Sequence, residues 1–437
     1  MNASHTCLQA VQVDENRLVR NLAELAGFGG SVVDGVARQT LTPEDLQART
    51  WLAARFATRP GYAVGIDDAA NLHIRRFGLD DELPCVMTGS HVDTQPLGGW
   101  LDGAFGVMAG LEVLEALDEA NICTQRSVQV VAWTNEEGSR FAPGLMGSQS
   151  YVQPDALASY LKVQDSQGVR FEQARDATLT AFRQAADAAR WSCFEARLAQ
   201  PVHAYLEAHI EQGPVLERRD IPLGVVQAIQ GVRWYQVTVE GRSAHAGTTP
   251  LEDRDDAQAK SIVLAHAVLG YAQEKRNVGL RVTIGRWTCA PGAVNTIANR
   301  VSFTVDVRHP EASEISAFDS FLHAQLPPGA QATVLQDKPT TGFDPGLTDL
   351  IRKAAHERNV PSMDMVSGAF HDAMPMAGFT RTAMLFAPSI RGISHHPEEH
   401  TAGADLAACT QVLADCLLEL AQPVSSPADA RRVSPSP

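Results

Sequence analysis

None of the seven cysteines forms a CxxC pair. Their odd number and their scatter (Cys7, Cys85, Cys123, Cys193, Cys289, Cys409, Cys416) argue against both a disulfide framework and a thiolate metal site. They are expected to be reduced and mostly packed. Basic residues are scarce: 36 Lys and Arg against 51 Asp and Glu leave a net charge of -15, which disfavours nucleic acid as a partner because that would call for a basic patch. No apolar run approaches the ~18 residues that a membrane-crossing helix needs, so no membrane partner is expected. The opening residues, MNASHTCLQAVQVDENRL, lack the apolar core of a secretory signal, and a cytoplasmic location is the expectation. What is present is a hydrophobic content of 44% spread over 437 residues, more chain than one core usually serves. Two domains are expected.

Helical patterns at Glu15 to Ala26 and Thr42 to Ala57 lead into a region where short β-branched runs alternate with helix, the α/β signature. PCVMTGS (Pro84 to Ser90) and SVQVVAWT (Ser127 to Thr134), with a helical stretch from about Val107 to Glu119 between them, read as neighbouring buried strands. From about Ile229 the pattern changes. WYQVTVEG and RVSFTVDVR alternate, placing Val301, Phe303, Val305 and Val307 on one face, as in an antiparallel sheet with one side covered. The stretch between them, Asp255 to Gln273, has apolar residues at helical spacing, including Ile262, Val263, Ala265, Val268 and Leu269, and reads as a helix. After Thr341 the α/β character returns, with a helix at Leu347 to Arg358 and the strand RTAMLFA. The expected organisation is therefore a discontinuous α/β domain, 1–228 with 343–421, interrupted by an α+β insert at 229–342 and followed by a Pro- and Ser-rich disordered tail at 422–437.

GSHVDTQPLGGWLDG, residues 89 to 103, sets His91, Asp93 and Asp102 among Gly89, Gly98, Gly99 and Gly103. Further polar clusters follow predicted strands or sit in Gly-flanked loops: Glu136 and Glu137 in TNEEGSRF, His209 in EAHIEQGP, His395 in GISHHPEEH. Ligands of open α/β sheets lie beyond the carboxyl ends of the strands, so these loops should meet at one edge. A nitrogen and oxygen donor set without sulfur suits two divalent ions bridged by one carboxylate. On spacing alone, a solvated acidic loop is the simpler account of Glu136 and Glu137.

GSHVDTQPLGGWLDG, TNEEGSRF, HIEQGP, SAHAGTTP, GAVNTIANR, VDVRHP, SGAFHDAM and GISHHPEEHT, in this order, resemble the motif series of the hydantoinase/carbamoylase amidases of the M20 metallopeptidase superfamily, over about residues 15 to 420. The resemblance implies a two-metal α/β catalytic domain with an inserted lid domain that dimerises. It assigns His91 and His209 to one ion, Glu137 and His395 to the other, and Asp102 to the bridge, with zinc, manganese or cobalt as the cofactor. It makes Asp93 the carboxylate behind a ligating histidine. It makes Glu136 the general base, taking a proton from a water shared by the two cations. His245 becomes an oxyanion donor that reaches a neighbouring subunit, Asn295 and Arg308 hold the substrate's polar groups, and Gln212, His371 and Asp372 line the pocket. For Arg308 the competing expectation is an ordinary pair with Asp306.

Two departures from the motifs stand out. Phe370 takes the place of a glycine in SGAGHDA, and QSYVQPD with the polar helical segment Gln164 to Ser192 replaces a small-residue continuation. DTQP and WTNEEGSRFAP look most like the N-carbamoyl-amino-acid hydrolases and β-ureidopropionases. The leading expectation is a homodimeric enzyme that cleaves the ureido C–N bond of an N-carbamoyl amino acid. Allantoate amidohydrolase comes second, an N-acyl amino acid or dipeptide hydrolase third. A non-catalytic binding relative would need the ligands but not Glu136.

Overall fold

The computed structural model describes residues 11–422. The expected disordered tail lies outside them apart from Gln422. The described chain divides into two compact units, one of residues 11–227, 343–365 and 370–422, the other of Ala228–Gly342 with Val366–Ala369.

The first unit is built on a mixed sheet with the strand order Tyr62–Ile66, Leu72–Arg76, Val128–Trp133, Cys85–His91, Val202–Ile210, Thr382–Ala387, Leu223–Ile229. The four strands from Val128–Trp133 to Thr382–Ala387 run parallel, and those flanking them pair antiparallel. Cys85–His91 and Val128–Trp133 are buried along their whole length. Continuous apolar runs are what a parallel strand covered on both faces requires, and each aliphatic side chain so buried contributes about 1.5–3 kcal/mol. The helices Ala104–Glu119 and Gly403–Ala421 pack on each other and on these strands. Because the parallel strands share a direction, their carboxyl ends open on one edge.

The second unit is a four-stranded antiparallel sheet in the order Arg281–Ala290, Arg300–His309, Gly231–Glu240, Ala330–Lys338. Along Arg300–His309 burial alternates as the sequence predicts, with Val301, Phe303, Val305 and Val307 fully covered. The helices Ala257–Glu274 and Ala312–Gln325 cover that face through Leu264, Val268, Phe318 and Leu322.

Two expectations are corrected. Ile262, Val263 and Leu269 are exposed, because the helix Ala257–Glu274 turns Ala257, Ser261, Leu264 and Val268 inward. Spacings of three and four place these on one stripe, and the other apolar residues fall outside it. The cysteines are not mostly packed either: among the described residues Cys85, Cys409 and Cys416 are buried, while Cys123, Cys193 and Cys289 are exposed.

Candidate metal centre

The open edge of the parallel strands gathers the polar residues. His91 ends Cys85–His91, Glu136 and Glu137 follow Val128–Trp133, His209 lies near the end of Val202–Ile210, and the loop of His395 follows Thr382–Ala387. Asp102 sits in the turn just before the helix Ala104–Glu119. That turn depends on Gly103, whose φ is +65° and whose Cβ, if it had one, would lie 2.3 Å from Nε2 of His91. Only glycine lets the chain pass the histidine and enter the helix there.

Asp102 faces two donor groups with different oxygens. Its Oδ1 is 3.8 Å from His91 Nε2 and 3.3 Å from His209 Nε2. Its Oδ2 is 3.1 Å from His395 Nε2, which is 3.6 Å from Glu137 Oε2. Within each group, His91–Asp102–His209 and Asp102–Glu137–His395, the candidate ligand atoms lie within 4.8 Å of one another. His91 and His209 are buried, while His395 stays 49% exposed and leaves the second group open to one side. The Nδ1–H of His91 donates to the carbonyl of Asp93 (2.8 Å) and that of His209 to the carbonyl of Ile210 (2.9 Å). Each ring thus keeps Nε2 as its acceptor, the tautomer a cation requires, and in His209 that nitrogen accepts the N–H of Gly103 at 3.1 Å.

Burial and mutual charge shift these groups in two directions. Burial, reinforced by Asp372, Glu137 and Asp102, pushes the Glu136 carboxyl well above its ordinary range. Burial and then Asp102 push Glu137 up to about 8. Burial also lowers His91 to about 4 in spite of Asp102. Asp102 goes the other way: in spite of burial, hydrogen bonds from His209 and His395 hold it well below its ordinary range, and its bond to His395 raises that imidazole to about 9. Divalent cations fit this set, and these residues are candidate ligands for them.

The residues around the donors differ in part from expectation. Asp93 supports His91 through its main-chain carbonyl, while its carboxylate accepts the N–H groups of Glu136 (3.4 Å) and Glu137 (3.3 Å) and so orients that pair. Gln95 Nε2 donates to Glu137 Oε2 at 2.6 Å. Gln212 donates to Asp102 Oδ2 and to Ser394 Oγ, both at 3.0 Å. Glu136 Oε2 lies 3.5 Å from His91 Nε2. His371 is buried with its ring centroid 4.5 Å from that of His209, and Asp372 is buried beside it. Sequence reasoning missed Glu207, which accepts from Ser90 Oγ (2.6 Å) and from the N–H of Ala373 (2.7 Å) beneath the histidines. Its signal was a glutamate in the apolar run YLEAHI, two residues before His209 and hence on the same strand face. Glu399 and Ser394 were missed as well.

His245, Asn295 and Arg308 belong to the second unit. There His245 bridges Thr296, and the N–H of Ala246 donates to the carbonyl of Asn295, so these two exposed loops adjoin. Arg308 engages Asp306 through Nε (3.0 and 3.2 Å) and Nη2 (2.9 Å) and donates from Nη1 to the carbonyl of Gly368. The pair with Asp306 is present. It holds the guanidinium in a fixed fork.

A parallel-strand edge carrying a sulfur-free set of histidines and carboxylates, buried in one group and open to one side in the other, around one shared aspartate defines a metal-dependent hydrolase. The sequence pattern of Peptidase family M20/M25/M40 matches residues 87–419, and the chain belongs to that family. It is 33% identical over 418 residues to an N-carbamoyl-L-amino-acid amidohydrolase of Rhizobium meliloti, covering 94% of this chain and 97% of the relative. An allantoate amidohydrolase of Bacillus subtilis is 31% identical over 420 residues, with 93% and 98% covered. Among solved structures, an amidase of the hydantoinase/carbamoylase family from Burkholderia multivorans is 34% identical with a TM-score of 0.83, over 95% of this chain and 100% of that one. The chain is an amidohydrolase, a hydrolase of carbon–nitrogen bonds. Among the described residues no helix is long and apolar enough to cross a membrane.

Proposed function

We propose that this amidohydrolase cleaves the ureido C–N bond of an N-carbamoyl amino acid with two divalent cations, zinc, manganese or cobalt, in the groups that share Asp102. One water is consumed, and the amino acid, ammonia and carbon dioxide leave. The observation that carries the two-cation reading is the division of Asp102 between His91 and His209 on one oxygen and His395 on the other. When bound, the cations supply Lewis acidity that polarises the substrate carbonyl and makes water nucleophilic. Glu136, adjacent to ligand Glu137 but directed to the His91 side, takes the proton and returns it to the departing nitrogen. Arg308 meets the substrate's carboxylate with its Nη1–Nη2 edge, while Asp306 on the Nε–Nη2 edge fixes the plane. Asn295, Gln212 and His371 bind the remaining polar atoms. Allantoate is the second reading, favoured by the Bacillus subtilis relative.

An ammonia-release assay of the protein loaded with each metal in turn, run on N-carbamoyl amino acids, allantoate and N-acetyl amino acids, tests the substrate class. Turnover of N-acetyl amino acids alone would overturn the ureido assignment. Arg308→Ala should lower kcat/KM by about 30-fold to 1000-fold on a carboxylate substrate, the loss of a charge-assisted bidentate contact of roughly 2–4 kcal/mol, and much less on the corresponding amide. An equal loss on both would make Arg308 a purely structural partner of Asp306.

The second unit serves, in this reading, as a lid and as the interface of a homodimer, and His245 donates to the oxyanion in the neighbouring subunit's site. The exposed Ile262, Val263 and Leu269 of its helix, with Val334 and Leu335 on its edge strand, supply the apolar surface that such an interface covers. His245→Ala and Glu136→Gln subunits, each inactive alone, should on mixing recover about a quarter of wild-type activity, because half the two-fold dimers are mixed and each has one intact site. No recovery in mixtures shown to exchange subunits would remove His245 from its partner's site.

A further inference from the structure

Glu399 is 1% exposed, and its contacts run between the two loops that build the candidate centre. Its Oε1 accepts the N–H of Leu101 (2.9 Å) and the N–H of Asp102 (3.0 Å). Its Oε2 accepts Ser394 Oγ–H at 2.8 Å, and that hydroxyl also lies 3.3 Å from Asp102 Oδ2. The Glu399 carbonyl accepts Trp100 Nε1–H at 3.1 Å. Gly99 leaves room for the carboxylate, since a Cβ there would stand 2.1 Å from its Cδ and Oε1. Every residue from Gly99 to Asp102 is therefore shaped to, or bonded by, one residue that lies almost 300 positions further along the chain, Trp100 through its main-chain carbonyl and the other three through its carboxylate.

Two main-chain N–H groups on one oxygen fix the peptide plane leading into Asp102, and with it the direction in which the Asp102 side chain leaves the backbone. Ser394, bonded to the other oxygen, precedes His395, the one proposed ligand that is half exposed and least restrained by packing. We propose that Glu399 is a positioning residue: it aims Asp102 at both donor groups and ties the His395 loop to the Asp102 loop, so that the Asp102–Glu137–His395 group is assembled in register. The inference rests on the reading of Asp102 as a shared cation ligand. Glu399 itself touches neither substrate nor cation in it.

The test is cation affinity, measured for the full chain by competition with a chromophoric chelator for zinc and manganese, without turnover. Partners behind metal ligands typically cost 10–100-fold in affinity when removed, so Glu399→Ala should weaken the second cation by about that factor. Glu399→Gln keeps an oxygen for the two N–H groups and should stay near wild type. Gly99→Ala, which displaces the carboxylate without removing it, should reproduce the alanine defect. Glu398→Ala, on an exposed neighbour paired with Arg391, should change nothing. Wild-type affinity in Glu399→Ala overturns the proposal, and if that variant does not fold, wild-type affinity in Gly99→Ala does. A wild-type protein that binds no cation would instead sink the reading of the site on which the proposal rests.

Discussion

Glu136→Gln is expected to keep its cations and lose turnover by about 10²–10⁴-fold, the range that a general base contributes. The amide is nearly isosteric and retains a hydrogen-bonding oxygen, but it cannot take a proton. Its surroundings argue for the role: the carboxylate points to the His91 side of the cluster, while the adjacent Glu137 points to His395 and is held by Gln95. Adjacent residues diverge in this way because Asp93 accepts both of their N–H groups and fixes the turn. Metal content and kcat measured on the same preparation decide the matter. A variant that lost a cation would exchange the roles of Glu136 and Glu137.

Asp102→Ala should be the most damaging single change to the donor set. Each of its oxygens faces a different group, so its removal leaves His91 with His209 on one side and Glu137 with His395 on the other, two donors each. Two donors from the protein are fewer than the three that catalytic zinc sites usually keep. Metal content should fall for both cations, and activity to background. His395→Ala, by contrast, should release one cation and leave the other in place. Should Asp102→Ala lose no more metal than His395→Ala, the aspartate does not bridge.

Part of the centre was legible in the sequence because His91 and the Glu136–Glu137 pair follow apolar runs, and parallel strands bring such positions to one edge. His91 and the Glu136–Glu137 pair could be set at that edge on this ground, but spacing alone favoured a solvated acidic loop for the pair, and the donor roles came with the resemblance. What resisted reading depends on the main chain or on distant pairs. Asp93 was expected to back His91 with its carboxylate, which lies 3.8 Å from Nδ1, but the shorter contact, 2.8 Å, is to its carbonyl, a group that every residue carries. Glu399 stood in plain view in HHPEEH, but its partners are main-chain N–H groups in a remote turn, and no periodicity encodes them. The helix Ala257–Glu274 carries apolar residues on more than one face, so its sequence alone left the buried stripe undecided.

The position of the strand Thr382–Ala387, inside the sheet beside Val202–Ile210, has a consequence for biosynthesis. His91, Asp102 and Glu137 leave the ribosome early, and His395 roughly 250 residues later, a delay on the order of 10–50 s at ordinary elongation rates. Until that strand inserts, the nascent chain holds one complete donor group at most, His91, Asp102 and His209, and none on the other side of Asp102. In the two-cation reading, capture of the second cation is therefore the later event, possible only once translation has passed His395 and Glu399.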